Sequence, residues 1–248
     1  MLLLHGFPQD STSWRHVVPL LQAAGLRTIT MDQRGYSPGA RPAPRAAYRL
    51  EFLVADALAV LDDAGLERAH VVGHDWGGGV AWATGALHPE RVASLTVVST
   101  PHPAALSAAL LRSDQALRSS YMAFFQLPRL PERVLRTRLE QVLVSAGLPV
   151  EQARHYQERM REPGAARGAL NWYRGAPLSR ERAGRVRVPT TYVWGERDPY
   201  LGRRAAELTR DHVRGDYEFV ALPGGHWLPE LSADAVAEAV VRRVRSQS

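Results

Sequence analysis

Residues 73–77 read Gly73-His74-Asp75-Trp76-Gly77, a glycine-flanked pentapeptide with a carboxylate at its centre. The pattern G-x-nucleophile-x-G marks a sharp strand-to-helix turn that lifts the central side chain clear of a sheet. Serine is the commoner nucleophile there. An aspartate in that place attacks carbon and makes an alkyl ester, which is chemistry suited to opening an epoxide or displacing a halide. Aspartate is also a frequent helix N-cap, so the pentapeptide alone leaves a structural role open.

The flanking residues favour the turn. Ala69-His70-Val71-Val72 is an apolar, β-rich run, and after Gly77-Gly78-Gly79 comes a helix-compatible stretch, Val80–Leu87, ended by His88-Pro89. The wider chain alternates in the same way. Strands are expected at Met1–Leu4, Arg27–Met31, His70–Gly73 and Ala93–Ser99, with helices at Trp14–Ala24 and Arg49–Ala64. The second helix puts Leu50, Leu53, Val54, Ala57, Leu58 and Leu61 on one face. Strands separated by helices imply a parallel sheet covered on both faces. From Ala104 to about Glu181 no strand-like run occurs, and helical segments punctuated by Pro128, Pro131, Pro149, Pro163 and Pro177 take over. Strands resume at Thr190–Trp194 and Tyr217–Leu222, and a helix at Ala233–Arg245 follows. This divides the chain into a core, 1–103 and 185–248, and an inserted helical cap, 104–184.

Composition narrows the function classes. An apolar fraction of 45% and a charged fraction of 23% over 248 residues fit a globular domain with ample core. No run approaches the ~20 apolar residues of a membrane span, and Met1-Leu2-Leu3-Leu4 lacks the features of a signal peptide. Cysteine is absent, so a cytoplasmic setting is the default. The net charge is +6, but the arginines are dispersed rather than gathered in a stripe, which argues against a nucleic-acid partner.

Four motifs, in order, carry a resemblance to the α/β-hydrolase fold and within it to epoxide hydrolases. They are His5-Gly6-Phe7-Pro8, Gly73-His74-Asp75-Trp76-Gly77-Gly78, Gly195-Glu196-Arg197-Asp198 and Gly225-His226-Trp227. The order nucleophile, acid, histidine is the one expected of that fold. The resemblance implies that Asp75 is the nucleophile and that His226, oriented by Asp198, takes a proton from water. Glu196 is the rival carboxylate, and Asp198 also suits a turn before Pro199. The backbone N–H groups of Phe7 and Trp76 would form the oxyanion hole. Pro8 would fix the Phe7 loop, with a cis bond as one way to do so. His5 reads as a structural hydrogen-bonding residue.

Two segments of the expected cap resemble those that carry a tyrosine facing the nucleophile: Tyr121-Met122-Ala123-Phe124-Phe125-Gln126 and Asn171-Trp172-Tyr173-Arg174. A phenol with a pKa of ~10 donates a hydrogen bond without ionising at neutral pH, so Tyr121 and Tyr173 together would clamp an epoxide oxygen. Packing is the alternative role for both. The expected substrates are a small apolar epoxide and water, with no cofactor and no metal. A haloalkane dehalogenase shares the Asp–His–Asp set but would want indole or amide donors for its halide. A non-catalytic, ligand-binding version of the fold has no need of all three groups.

The resemblance departs from the family in one respect. Members normally carry two strands before the His5-Gly6-Phe7-Pro8 strand, and this chain begins inside it. The sheet is therefore expected to be mostly parallel but to lack those first two strands. That would leave an unpaired edge at Arg27–Met31, open to dimer pairing.

Overall fold

Six strands, most of them near-continuous runs buried on both faces, form one sheet. In the computed structural model, which describes residues 1–247, they are β1 (Leu2–Leu4), β2 (Ile29–Thr30), β3 (Ala69–His74), β4 (Val92–Val98), β5 (Thr190–Gly195) and β6 (Tyr217–Leu222). Their order is β2-β1-β3-β4-β5-β6, and every neighbouring pair is parallel. The alternation sends successive residues to opposite faces. Leu2, Leu4, Val71, Val97 and Tyr192 belong to one apolar cluster, and Leu3, Val72, Val98 and Val193 to the other. Burial of each β1 leucine contributes about 2 kcal/mol, so this short strand is held firmly.

Between the first four strands run α1 (Val17–Ala23), α2 (Leu50–Asp63) and α3 (Trp76–Leu87). Seven helices separate β4 from β5: α4 (Pro103–Leu110), α5 (Gln115–Arg118), α6 (Tyr121–Phe125), α7 (Leu130–Thr137), α8 (Leu139–Ser145), α9 (Val150–Arg161) and α10 (Ala165–Gly175). The chain continues through α11 (Arg203–Leu208), α12 (Leu228–Leu231) and α13 (Ala233–Arg245). Helices α1 and α13 cover one face of the sheet through Val17, Leu21, Val236 and Val240. On the other face lie α2 and α3, whose cluster runs on into α9 and α10 through Tyr156, Met160, Leu170 and Trp172. Among the described residues no helix is long and apolar enough to cross a membrane.

Two elements differ from expectation. The second strand shrinks from 27–31 to Ile29–Thr30, because it is the sheet edge and pairs only with β1. The helix after the pentapeptide begins at Trp76 rather than Val80, so the three glycines are helical. Glycine is a poor helix former, but tertiary packing overrides that here. A side chain on Gly77 would collide with the carbonyls of Leu4 and His5, so the glycine lets α3 lie directly on β1.

The strand order places the chemistry. Chain connections leave β1 toward β2 on one side and reach β3 on the other, so a crevice opens at the carboxyl ends of β1 and β3. His5-Gly6-Phe7-Pro8 follows β1, and Asp75 follows β3.

Candidate active site

Asp75 stands between β3 and α3 with φ +49° and ψ −121°, a region that L residues rarely occupy. Such strain costs about 1–3 kcal/mol and persists only where the surroundings enforce it. Here the Asp75 N–H reaches the Val98 carbonyl at 3.3 Å, and the Asp75 carbonyl accepts from Thr100 Oγ1 at 2.7 Å and from the Gly79 N–H at 3.1 Å. The carboxylate makes no helix cap. The capping role is thereby excluded, and the side chain is turned into the crevice instead.

There it meets two groups. Oδ1 accepts the Phe7 N–H at 2.7 Å. Oδ2 lies 3.6 Å from His226 Nε2, an ion-pair contact rather than a hydrogen bond. Burial alone would raise the Asp75 carboxyl; the His226 imidazole and the Phe7 N–H outweigh it and hold it below the usual carboxylate value. The Phe7–Pro8 bond is cis. The N–H of Trp76 belongs to the first turn of α3, where helix donors have no partner within the helix.

His226 follows β6 and is 3% exposed. Its Nδ1 is 2.8 Å from Asp198 Oδ2. The other Asp198 oxygen accepts the N–H groups of Tyr200 and Leu201 at 2.8 and 3.0 Å, so the carboxylate is fully engaged and aimed. Glu196, the rival, instead pairs with Arg203 at 3.1 Å at the surface. Burial disfavours a charged imidazole, but Asp198 and Asp75 together outweigh it and push the His226 pKa up to about 10. The two aspartates flanking the ring thus favour its charged form.

Tyr121 and Tyr173 come from α6 and α10, and their rings meet edge to face at 6.1 Å. Tyr121 lines a cavity of about 550 Å³ together with Asp75, Trp76 and Thr100. Tyr173 sits behind it, 5% exposed, its ring 4.9 Å from Trp76 and 5.1 Å from Phe7. Burial and the Asp75 charge raise both phenols well above their ordinary value, so both keep their protons. The rest of the lining is largely apolar: Leu50, Leu53, Pro101, Leu106, Met122 and Leu201 contribute. His5 is buried, with Nε2 accepting the Gln33 N–H at 3.1 Å and Nδ1 3.0 Å from the Gly6 carbonyl.

Of the seven residues singled out by the motifs, Asp75, Trp76 and Tyr121 line the cavity, Phe7 and His226 contact Asp75, Asp198 stands behind His226, and Tyr173 packs against Tyr121 and Trp76. Sequence reasoning passed over Thr100 and Ser99, which brace Asp75 and His226 through main-chain carbonyls. It also passed over Tyr200, whose ring packs 5.1 Å from that of His226. Adjacency to Asp198 was the one available signal for Tyr200. Among the described residues no cluster of three or more His, Asp or Glu side chains has the arrangement of a metal site.

Comparison with known proteins bears on the fold and the family. The family model described as alpha/beta hydrolase fold matches residues 1–233. The chain is 34% identical to epoxide hydrolase 4 of Mus musculus, over 95% of this chain and 70% of that protein. It is 32% identical to epoxide hydrolase A of Mycobacterium tuberculosis, over 97% of this chain and 88% of that one. A crystal structure of epoxide hydrolase A from Mycobacterium thermoresistibile superposes with a TM-score of 0.80 at 28% identity, covering 98% of this chain and 90% of the other.

Proposed function

The chain belongs to the α/β hydrolase fold family, and we propose that within it the protein is an epoxide hydrolase that makes a vicinal diol through a covalent ester on Asp75. The observation that carries the reading is the line Asp75–His226–Asp198, in which a carboxylate occupies the elbow and a histidine locked to Asp198 stands 3.6 Å behind it. The relatives' names support the substrate class. Residues 104–184 act as a cap over the core formed by 1–103 and 185–248. What supports this is that Tyr121 and Met122 of that segment line the same cavity as Asp75.

Each atom has a place in the cycle. An Asp75 oxygen attacks an epoxide carbon, and the C–O bond of the ring breaks. Tyr121 and Tyr173 hydrogen-bond to the departing oxygen as charge develops on it. The proton that finally neutralises this oxygen leaves the His226 imidazolium, with the phenols as the bridge. Ester formation also removes the Asp75 charge, so one of the two supports for a charged imidazole is lost. His226 is then neutral and can take a proton from water. The hydroxide adds to the ester carbonyl, and the N–H groups of Phe7 and Trp76 hold the oxyanion. Collapse expels the diol oxygen, which takes the remaining proton of the added water, restores the Asp75 carboxylate with one oxygen from water, and leaves the other proton on His226. Epoxide plus water gives diol, with no net proton gained or lost.

The donor inventory favours an epoxide over a halide. A halide site needs indole or amide N–H donors; the indoles of Trp82, Trp172, Trp194 and Trp227 are bonded to carbonyl oxygens, which leaves Trp76 as the single tryptophan among the cavity-lining residues, where it is matched by the Tyr121 phenol with Tyr173 behind it. A panel of styrene oxide, aliphatic epoxides and bromoalkanes, assayed for diol, alcohol and halide, tests the reading. Diol from at least one epoxide is expected. Halide release with no diol from any epoxide would overturn it.

A further inference from the structure

Behind the crevice, on the side away from the cavity, lies a buried chain of polar groups that the reaction itself does not use. His74 Nε2 is 2.9 Å from the main-chain carbonyl of His226, which also accepts from Ser99 Oγ at 2.9 Å. His74 Nδ1 is 2.9 Å from Gln9 Oε1. The other end of the Gln9 amide is 2.6 Å from Glu230 Oε2. Glu230 Oε1 accepts the Tyr156 hydroxyl at 2.7 Å, which brings in α9. The His5-Gly6-Phe7-Pro8 loop, β3, α12 and α9 are thus joined through one line of hydrogen bonds that ends on the residue bearing the imidazole.

The proton count of this line is informative. His74 Nε2 faces a carbonyl and must donate. With Gln9 turned nitrogen toward Glu230, Nδ1 must donate too, so the line holds an imidazolium and a carboxylate, both buried. A half-turn of the amide, whose two ends are alike in shape, gives a second arrangement with the same number of protons. Glu230 then carries a proton and donates to the Gln9 oxygen, Gln9 donates to Nδ1, and His74 is neutral. Burying two charges is the costlier choice. The groups facing the two ends agree on balance. At His74, burial is the largest influence, and with the charged His226 it outweighs Asp75 and Asp198, holding the ring down at about 4. At Glu230, burial with Asp10 nearby outweighs Tyr156, Gln9 and Arg15, whose Nη1 is 3.7 Å away, and the acid is raised.

We propose that Glu230, Gln9 and His74 form an uncharged hydrogen-bonded brace that holds the main chain of His226 and so sets its imidazole against Asp75 and Asp198. Glu230 is in this sense a positioning residue: it touches no substrate and acts through Gln9 and His74. The brace rests on the ester reading above, because it predicts which half-reaction suffers. His226 performs ester hydrolysis, so loosening its main chain slows that half far more than the attack by Asp75.

The test follows adduct formation and decay separately by rapid-quench intact-protein mass spectrometry with styrene oxide. A glutamine at 230 can accept from Tyr156 and donate to Gln9, as a neutral acid does; a leucine can do neither. Misplacement of a catalytic group costs about tenfold or more, so Glu230→Leu should slow adduct decay by about tenfold and change its formation by less than about threefold, while Glu230→Gln should stay within about twofold of the unaltered enzyme in both. Decay unchanged in Glu230→Leu overturns the brace, as does a Gln variant no better than the Leu variant. Should Glu230→Leu not fold, the carboxyl carbon resonance of Glu230 in the unaltered protein, assigned by its loss in Glu230→Gln, decides. A neutral-acid shift at pH 7 supports the brace, and a carboxylate shift overturns it. If no protein forms an adduct, His226→Gln included, the ester reading fails instead, and the resonance still reports on the brace.

Discussion

Gly6 and Asp75 approach so closely that a Cβ on Gly6 would overlap the Asp75 Cβ and stand 2.8 Å from its Oδ1. The contact is what allows the next N–H, that of Phe7, to reach the carboxylate. Gly6→Ala should therefore part the two loops. Crowding of this kind costs about 1–3 kcal/mol of stability, and loss of one oxyanion donor costs about a hundredfold in rate. Melting curves and kcat/KM on an epoxide check both figures. An alanine variant of full activity would mean that the Phe7 N–H is not needed at Asp75.

Asp75 as nucleophile predicts where water oxygen goes. In a single turnover in heavy-oxygen water, the first diol should carry an unlabelled oxygen from the protein, and the label should appear on Asp75 in the peptide mass spectrum. Label entering the first diol directly would show that water attacks the epoxide without an ester.

His226 should matter more to the second half-reaction than to the first. His226→Gln is expected to accumulate an adduct of protein plus substrate, visible by intact mass. Binding without any adduct would remove His226 from the assigned step.

The charge on His226 also gives stability a pH dependence of definite sign. Its folded pKa is raised to about 10, from an unfolded value of about 6.5. The favourable contribution is therefore complete below about pH 6.5 and is lost as pH rises toward 10. The Tm difference between the unaltered protein and His226→Gln should shrink steadily from pH 7 to pH 10. A constant difference would mean the imidazole is not held charged in the folded state.

Much of this arrangement was legible in the chain, and the exceptions have physical causes. Strands such as 190–194 and 217–222 were readable because apolar runs bounded by turn residues need no tertiary knowledge. The start of α3 was misread because Gly77-Gly78-Gly79 looks like a loop by propensity, whereas close packing of Gly77 on β1 makes those glycines helical. Asp75, Asp198 and His226 were nominated by motifs that lie at strand ends, and the parallel sheet gathers strand ends. The line from Glu230 through Gln9 to His74 left no such trace. Its partners are 221 and 65 residues apart, and each sits where a motif or a turn already accounts for it.

The two cap tyrosines separate epoxide from halide chemistry. Tyr173 is buried and Tyr121 half-buried, and desolvation with the Asp75 charge raises both phenols above their ordinary value, so both keep their protons at neutral pH. A protonated phenol is most useful where negative charge develops on oxygen, which happens as the epoxide C–O bond breaks and not as a bromide leaves. Removal of one such donor should cost about 2–4 kcal/mol of barrier, by analogy with oxyanion-hole deletions. Tyr121→Phe and Tyr173→Phe should each slow adduct formation accordingly, while adduct decay, which depends on His226, stays near its original rate. The double variant should form adduct barely at all. The rings are only 6.1 Å apart and share neighbours, so the two effects need not add. Near-normal epoxide turnover in the double variant would return both tyrosines to a packing role and would move the question of what activates the epoxide oxygen to another donor in the cavity.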